Sequence, residues 1–231
     1  MTGLNGWLVV DKPVGPSSAA VVGKLKWALR QGGHARVKIG HGGTLDPLAS
    51  GVLPIALGEA TKLSGYLLNG PKAYRFTVRF GIATSTDDAE GDTVATSPVR
   101  PDATAILAAL PAFTGPIRQR PPAFSALKVD GTRAYARARA GESVELAPRD
   151  LVIHSLALDA ADTEGATLAV HCSKGTYVRS LARDLALALG SVGHVTMLRR
   201  IAAGPFTLAQ AIPLDKCVEL VHGPAPEQAL L

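Results

Sequence analysis

Residues 40–51 read GHGGTLDPLASG and hold the aspartate whose surroundings best suit chemistry in this chain. Gly40, Gly42 and Gly43 let the backbone bend sharply and let a ligand approach closely. A proline follows Asp46, and Asp-Pro commonly starts a helix, with Asp as the N-cap and Pro in the first turn. We therefore expect Asp46 at a helix start, where the helix dipole favours the ionised carboxylate. Such a carboxylate suits a nucleophile or a general base, and a capping role alone is the alternative.

Other arrangements that commonly carry chemistry are missing from the sequence. The GHGG stretch lacks the GK[ST] ending of a phosphate-binding loop, and Ser125 and Ser173 lack the G-x-S-x-G context of a serine hydrolase. The six histidines show no HExxH-type spacing, so we expect no metal site. The acidic residues within 87–92 lack the spacing of a calcium-binding loop, and we interpret them as a solvated turn. Cys172 and Cys217 form neither a disulfide framework nor a CxxC site.

The elements that must position these groups mix strands and helices without a regular βαβ rhythm. Apolar residues at helical spacing predict a helix over residues 19–31, capped by Ser17 or Ser18, and residues 74–80 alternate like a half-exposed strand. Further strands are expected at 7–10, 37–40, 52–58, 123–129, 149–160, 166–172 and 194–204, and further helices at 59–70, 102–113, 133–141 and 176–190. This mixture predicts an α+β fold built on a mixed, mainly antiparallel sheet flanked by helices.

Positive charge is concentrated in three parts of the chain. The 24 basic and 19 acidic side chains leave a net charge of +5. Residues 1–46 contain six basic and two acidic residues, residues 116–139 contain six basic and one acidic, and residues 171–206 contain five basic and one acidic. By contrast, residues 84–105 contain one basic and five acidic residues. If the three basic zones share one surface, we expect a polyanion such as RNA to bind it, and an ordinary solvated surface is the alternative. The short basic helix expected at 133–141 would place Arg133 and Arg137 on one face, as candidate RNA-binding residues.

Length and targeting signals bound the class of protein. With 231 residues, 47% of them hydrophobic, the chain is long enough for one large domain with a sizeable core. No apolar run reaches the length of a membrane span, and the N-terminus lacks the pattern of a signal peptide. We expect a cytoplasmic protein with no membrane partner.

Several separate motifs, in order, resemble one family. They are DKPVGPSS, GHGGTLDPLASGVLPIALGEATK, KAYRF, ATSTDDAEG, PPAFSALKVDG and GTYVRSLARDLALALG. Together they are similar to the TruB family of tRNA pseudouridine synthases, from about residue 5 to about residue 206. The resemblance implies the pseudouridine synthase fold and isomerisation of uridine 55 in the tRNA T-loop to pseudouridine. It also implies the tRNA T-arm as partner and no cofactor or metal, and we expect a monomer.

Three residues carry the chemistry that the resemblance implies. Asp46 corresponds to the catalytic aspartate, Tyr74 to the tyrosine that stacks on the target base, and Arg179 to the arginine that pairs with the carboxylate. The chemistry is consistent, since the base must be flipped out of the loop before it can be detached and rejoined. From pattern alone, Tyr74 is also an ordinary strand-face aromatic and Arg179 a surface group. Whether Asp46 attacks C1′ of the ribose, attacks C6 of uracil or removes a proton stays open.

Further residues match positions of the family that surround the base. His41 matches the loop histidine that contacts the RNA and helps to hold the flipped conformation. Tyr177 and Leu198 match pocket-lining positions, and Lys12 and Lys62 match positions near the RNA.

The sequence departs from the family pattern in two places. Gly42 stands where the family loop has threonine, which would loosen the turn or alter one RNA contact. Matching motifs end near residue 206, so we expect a catalytic domain over 1–210 and a short C-terminal tail over 211–231, without a full PUA domain. The end of that tail, residues 223–231, is expected to be frayed.

Three other functions stay open from sequence. The chain could modify an RNA other than tRNA, act as a tRNA-binding folding factor, or be a hydrolase with an aspartate nucleophile that releases free uracil.

Overall fold

The structure, a computed structural model, describes residues 4–34, 36–125, 127–129, 131–140, 142, 146–223 and 225–231. Its contacts divide the chain into two units, one built from the residues up to Tyr74 and from Leu198 onward, the other from Arg75–Met197. Within the described residues, no helix has the length and apolar character needed to cross a membrane.

Strands and short helices alternate irregularly along the described chain. The strands are β1 (Gly6–Lys12), β2 (Ile39–His41), β3 (Ala49–Leu57), β4 (Lys72–Phe80), β5 (Ile82–Thr84), β6 (Thr93–Thr96), β7 (Gly115–Gln119), β8 (Lys128–Val129), β9 (Thr132–Arg133), β10 (Arg149–Ala161), β11 (Gly165–Cys172), β12 (Gly193–Ala203), β13 (Phe206–Thr207) and β14 (Ile212–Pro213). The α-helices are α1 (Ser18–Gln31), α2 (Ser64–Asn69), α3 (Ala103–Ala109), α4 (Ala134–Arg139), α5 (Val178–Ala188) and α6 (Leu214–His222). Short 3₁₀ helices lie at Gly58–Leu63, Leu110–Phe113, Leu208–Gln210 and Pro226–Ala229.

Strand β3 organises the sheet of the first unit. Residues 51–57 of β3 pair antiparallel with the whole of β1, which in turn pairs parallel with β14. Along the other edge, the start of β3 pairs parallel with β12, with Leu198 opposite Ala49, and its end pairs antiparallel with β2, with His41 opposite Ile55. The segment between β2 and β3 must therefore carry the chain from the end of β3 back to its start.

Helix α1 forms as its apolar pattern predicts. The side chain of Ser17 accepts a hydrogen bond from the Ala20 amide at 3.1 Å and caps the helix, one of the two caps expected. Val21, Leu25 and Leu29 are buried along one face, at the spacing that one face of a helix requires. The prediction of this helix is confirmed.

The sheet of the second unit follows the order β4-β11-β10-β7. Strands β10 and β11 pair antiparallel, as do β10 and β7. On β4, Phe76, Val78 and Phe80 are buried while Arg79 between them is exposed, so the predicted half-exposed strand is confirmed. Antiparallel pairs predominate over parallel ones among the described strands, which confirms the α+β class.

Two local predictions are wrong. No helix follows Asp46, because the Ala49 amide bonds the Asp46 carbonyl at 3.1 Å in a turn that leads directly into β3. Asp and Pro are also the preferred first two residues of such a β-turn, so the Asp-Pro signal is ambiguous. The strand expected at 123–129 includes residue 126, which lies outside the described residues, and among its other residues only Lys128–Val129 forms a strand.

The expectation of a frayed tail is also wrong at its end. Leu231 exchanges two backbone hydrogen bonds with Trp7, at 3.0 and 2.9 Å, and so extends the pairing of β1. Helix α6 packs within the first unit and buries Leu214, Cys217 and Val221. The boundary expected at residue 210 stays a prediction.

Candidate functional site

Asp46 lies in the segment that joins β2 to β3, which we call the Asp46 loop (residues 42–48). Asp46 is half-buried, neither enclosed in the core nor fully in solvent. The loop leaves β2 with a hydrogen bond from the Gly42 amide to the Pro54 carbonyl at 2.8 Å. It enters β3 through the turn at Pro47, so both ends are fixed by the sheet.

Arg200 holds the middle of the Asp46 loop from β12. Its Nε donates to the Val52 carbonyl at 2.7 Å, and its two terminal nitrogens donate to the carbonyls of Gly43 at 3.1 Å and Thr44 at 3.3 Å. The side chain is only 1% exposed, so these bonds form where water cannot replace them. No sequence pattern singles out this residue, because the Arg-Arg pair at 199–200 does not show which side chain is buried.

Ser18 and Lys12 hold the residues on either side of Asp46. The Ser18 hydroxyl accepts from the Leu45 amide at 2.7 Å and donates to the Leu45 carbonyl at 2.9 Å. The Pro47 carbonyl accepts from Lys12 Nζ at 3.3 Å and from the Gly15 amide at 2.9 Å. The backbone around the carboxylate is thus fixed by α1, β1 and β12 together.

Lys12, expected from the family resemblance to lie near the RNA, also has a structural role in supporting the Asp46 loop. Its side chain is fully buried and donates to the Pro13 carbonyl at 2.8 Å as well as to Pro47. In this position Lys12 supports the loop, and the contact with RNA stays a prediction.

His41 is a half-buried ring at the end of β2. Its Nδ1 is buried and has no hydrogen-bond partner within the described part of the chain. Burial, followed by the nearby positive charge of Arg200, lowers the pKa of His41, so the ring favours its neutral form. The contact of His41 with RNA stays a prediction.

Gly42 makes room for helix α2. A Cβ atom at this position would lie 2.8 Å from Cδ1 and 3.1 Å from Cβ of Leu67. Leu67 belongs to the core cluster of the first unit, with Val9, Val52 and others. The glycine therefore lets α2 pack directly against the loop, which is a tighter arrangement than the loosened turn expected from the missing threonine.

Leu198, Tyr74 and Lys62 complete the predicted residues of the first unit. Leu198 is 9% exposed and lies opposite Ala49, three residues after Asp46. Tyr74 is half-buried on β4, two residues after Lys72, whose Nζ donates to the carbonyls at the end of α2. Lys62 is exposed and forms an ion pair with Glu59. Their roles towards RNA stay predictions.

Arg179 is buried in the second unit and is not a surface group. Its guanidinium donates to the carbonyls of Thr86 at 2.9 Å and Phe124 at 3.0 Å, and lies 3.4 Å from Asp88 Oδ2. Asp88 is 4% exposed, so the interpretation of this acidic segment as a solvated turn is wrong for Asp88, although the last two acidic residues of the segment, at 90 and 92, are exposed as expected. Asp88 faces inward because its ion-pair partner is a buried arginine that lies far away in sequence.

A second ion pair holds the same acidic segment. Arg183 Nη1 donates to Asp87 Oδ2 at 3.0 Å, and Asp87 has a left-handed backbone with φ of 60°. Burial raises the pKa of Asp87 although Arg183 opposes that rise. Tyr177, which precedes α5, is half-buried and is fixed through its backbone by Gln119, with bonds of 2.8 and 3.1 Å.

The two candidate RNA-binding arginines do not share a helix face. Helix α4 starts at Ala134, and Arg133 is the last residue of β9. Arg137 lies on α4 and pairs with Glu142 at 2.6 Å. That part of the prediction is wrong, and binding of RNA by either residue stays a prediction.

The described residues contain no group of three or more His, Cys, Asp or Glu side chains that could hold a metal ion. In the first unit, the fold gathers His41, Asp46 and Leu198 around one fixed loop. In the second, it places Tyr177 and Arg179 at the start of one helix.

Comparisons with known proteins cover nearly the whole chain. Residues 30–178 match the model of the TruB family pseudouridylate synthase N-terminal domain, and residues 179–229 match that of the tRNA pseudouridylate synthase B C-terminal domain. The tRNA pseudouridine synthase B of Novosphingobium aromaticivorans is 55% identical over 99% of this chain and 77% of its own length. The enzyme of the same name from Dinoroseobacter shibae is 53% identical over 99% of this chain and 74% of its own length.

A solved structure shows the same fold. The crystal structure of a Cbf5–Nop10–Gar1 complex contains a chain that is 31% identical, with a TM-score of 0.72. The match covers 93% of this chain and 54% of that chain, so this chain spans about half of its length.

Proposed function

Since the chain belongs to the TruB family of pseudouridylate synthases, we propose that it isomerises uridine to pseudouridine in tRNA, at position 55 of the T-loop. The observation that carries this proposal is Asp46, a half-buried carboxylate whose neighbouring backbone is held by Arg200, Ser18 and Lys12. Such fixation places a reacting group before the substrate arrives, which is how enzymes reduce the entropic part of a barrier.

The reaction exchanges one bond for another within the same nucleotide. The bond from C1′ of ribose to N1 of uracil breaks, the base rotates, and C1′ joins C5. The proton on C5 is lost and N1 gains one, so no atom is added or removed overall. Asp46 serves as the nucleophile or the base in these steps, and both roles use its ionised form.

The base must leave the folded loop before Asp46 can reach its sugar. Flipping costs a few kcal/mol, and stacking on an aromatic ring returns about 1–3 kcal/mol. We propose that Tyr74 supplies this ring and that His41 contacts the loop from which the base leaves, while Leu198 and Tyr177 line the pocket. The pairing of Arg179 with the catalytic carboxylate, a cytoplasmic location and a monomeric state stay predictions.

Mapping of pseudouridine on RNA incubated with the purified chain tests this function. A T-arm stem-loop, whole tRNA, ribosomal RNA and messenger RNA are compared, and we expect conversion of the T-loop uridine in the two tRNA substrates. Release of free uracil would indicate a hydrolase, and tight tRNA binding without conversion would indicate a folding factor. Conversion confined to ribosomal or messenger RNA would contradict the choice of tRNA.

A further inference from the structure

Helix α1 has an outward face that the proposed reaction does not use. Its buried face is apolar, whereas residues at positions 23, 26, 27 and 30 are exposed and follow the spacing of one helix face. Trp27, in the middle of that face, is 58% exposed. Lys26 precedes it and Arg30 lies one turn further on. We call Lys26, Trp27 and Arg30 the α1 face.

The α1 face carries positive charge that has no acidic partner among the described residues. Residues 18–41 contain five basic side chains and no aspartate or glutamate. Lys24, on the neighbouring side of the helix, pairs with Asp215 at 2.6 Å. By contrast, Lys26 and Arg30 have no side-chain hydrogen bond or ion pair to any residue that the structure describes. An exposed indole between two available cations combines a stacking surface with phosphate-binding groups.

The same helix is attached to the Asp46 loop. Ser18, in its first turn, binds both backbone groups of Leu45, which directly precedes Asp46. Trp27 follows Ser18 by nine residues on the helix, and at about 1.5 Å per residue it lies roughly 13 Å further along the axis. An RNA that delivers a nucleotide to Asp46 is large enough to cover this distance.

We propose that the α1 face is a second RNA-binding site, where an unpaired base of the substrate tRNA stacks on Trp27 and flanking phosphates bind Lys26 and Arg30. This inference rests on the proposed function, because it assigns a further contact to the same substrate. A single exposed tryptophan needs no explanation by itself. The cations beside it, which have no acidic partner among the described residues, and the direct link to the Asp46 loop are what favour a polyanion with exposed bases.

A lipid surface would require a different helix. Membrane-surface helices bury a broad apolar face with several large side chains. The apolar face of α1 is already occupied by the core of the first unit, and its outward face offers one large apolar side chain among polar neighbours.

Tryptophan fluorescence tests the stacking directly. The chain has two tryptophans, and Trp7 packs against Phe206 with ring centroids 5.5 Å apart. Titration with whole tRNA is expected to quench the parent strongly, whereas Trp27→Phe, which leaves Trp7 as the only indole, should change little. Equal fractional quenching of the two proteins would overturn the proposal. A response to anionic phosphatidylglycerol vesicles but not to tRNA would also overturn it, in favour of a membrane.

The affinity for tRNA and its dependence on salt give a second, independent test. Trp27→Ala is expected to weaken tRNA binding about fivefold or more, while the control Leu107→Ala, which truncates a side chain that is 54% exposed on α3, should not. The double variant Lys26→Gln, Arg30→Gln should make the plot of log affinity versus log salt concentration shallower, with a slope smaller in magnitude by about 1.5. The control Lys216→Gln, which removes an ammonium paired with Glu219, should change that slope little.

The outcomes separate this inference from the function on which it rests. If the parent forms pseudouridine but Trp27→Ala binds tRNA as tightly as Leu107→Ala does, the function stands and the α1 face is refuted. If the parent forms no pseudouridine on any RNA, both are refuted.

Discussion

At the scale of single residues, burial sets the state of the groups beside Asp46, the proposed reacting residue. Arg200 and Lys12 are buried cations whose nitrogens bind backbone carbonyls of the Asp46 loop. His41 is partly buried and lies near the positive charge of Arg200, and both effects, burial first, lower its pKa and favour the neutral ring. Two fixed cations therefore hold the backbone of the loop, while the histidine beside it favours its uncharged form.

The lowered pKa of His41 predicts a pH-dependent stability. As the pH falls below the ordinary histidine value of 6.5, the unfolded chain binds the proton before the folded chain does. The contribution of the neutral ring is fully present above that value and is lost as the pH falls through the folded-state pKa. We expect the free energy of unfolding, measured by denaturant at pH 7.5 and 5.5, to drop less for His41→Gln than for the parent.

The exposed residue His222 provides the control, since His222→Gln should keep the parent's pH dependence. If His41→Gln and the parent lose the same stability between the two pH values, burial of His41 does not control its protonation.

Substitutions at Tyr74 separate stacking from proton transfer. Tyr74→Phe keeps the ring and loses the hydroxyl, whereas Tyr74→Leu loses the stacking face as well. If the ring holds the flipped base, the Tyr74→Leu variant should convert uridine far more slowly than the Tyr74→Phe variant. The ratio of the two rates should correspond to the loss of about 1–3 kcal/mol of stacking energy. Single-turnover rates on a T-arm stem-loop measure this difference. Near-parent rates for both variants would mean that Tyr74 is only a sheet residue.

At the scale of elements, the Asp46 loop is a junction held by three neighbours. Helix α1 supplies Ser18, β1 supplies Lys12, and β12 supplies Arg200. A loop that carries a reacting group gains precision from such support, because its own sequence is rich in glycine and would otherwise be flexible.

Arg200→Lys tests this support. Lysine keeps the positive charge but cannot present three fixed donors, so at least one loop carbonyl loses its partner at a cost of about 1–3 kcal/mol. We expect kcat to fall about tenfold to a hundredfold with little change in tRNA affinity, and amide exchange of residues 43–46 to accelerate.

The adjacent arginine provides the matched control. Arg199 lies on the same strand and pairs with Asp11 at 2.7 Å, with no bond to the Asp46 loop among the described residues. Arg199→Lys should therefore leave kcat and the exchange of residues 43–46 near those of the parent. If Arg200→Lys behaves in the same way, the loop does not depend on Arg200.

Local patterns predicted the elements better than they predicted the loop. Helix α1 and strand β4 follow from apolar periodicity, which the chain encodes over many residues. Asp-Pro serves a helix start and a β-turn equally well, so the strand that follows Asp46 could not be distinguished from a helix. The bonds from Ser18 and Arg200 to the Asp46 loop were not predicted, because the bonded residues lie 27 and 157 residues apart in sequence.

At the scale of the whole molecule, each unit has one buried cysteine whose reaction with a thiol reagent can report unfolding. Cys172 is 1% exposed in the second unit, and Cys217 is fully buried in the first, where burial raises the pKa of its thiol to about 12. A thiol that is both inaccessible and protonated reacts slowly with disulfide reagents. Neither cysteine is exposed until its unit opens.

These two thiols predict how the units unfold. Native protein should react with neither thiol over minutes, and each should react as denaturant unfolds its own unit. The variants Cys172→Ala and Cys217→Ala each leave one reporter, so their labelling midpoints can be compared. Coincident midpoints would indicate one cooperative transition, and separate midpoints would indicate two. Rapid labelling of Cys217 in the native protein would contradict its burial.

The central claim is that the Asp46 carboxylate reacts, and Asp46→Asn tests it most directly. Asparagine is as suitable as aspartate for the first position of the turn that ends in Ala49, so the fold should survive. The amide is a poor nucleophile and a poor base. Pseudouridine formation on the T-arm stem-loop and thermal melting are measured on the same preparation. We predict that conversion is abolished while the melting temperature and RNA affinity stay close to those of the parent. Substantial conversion by a folded Asp46→Asn protein would contradict the account.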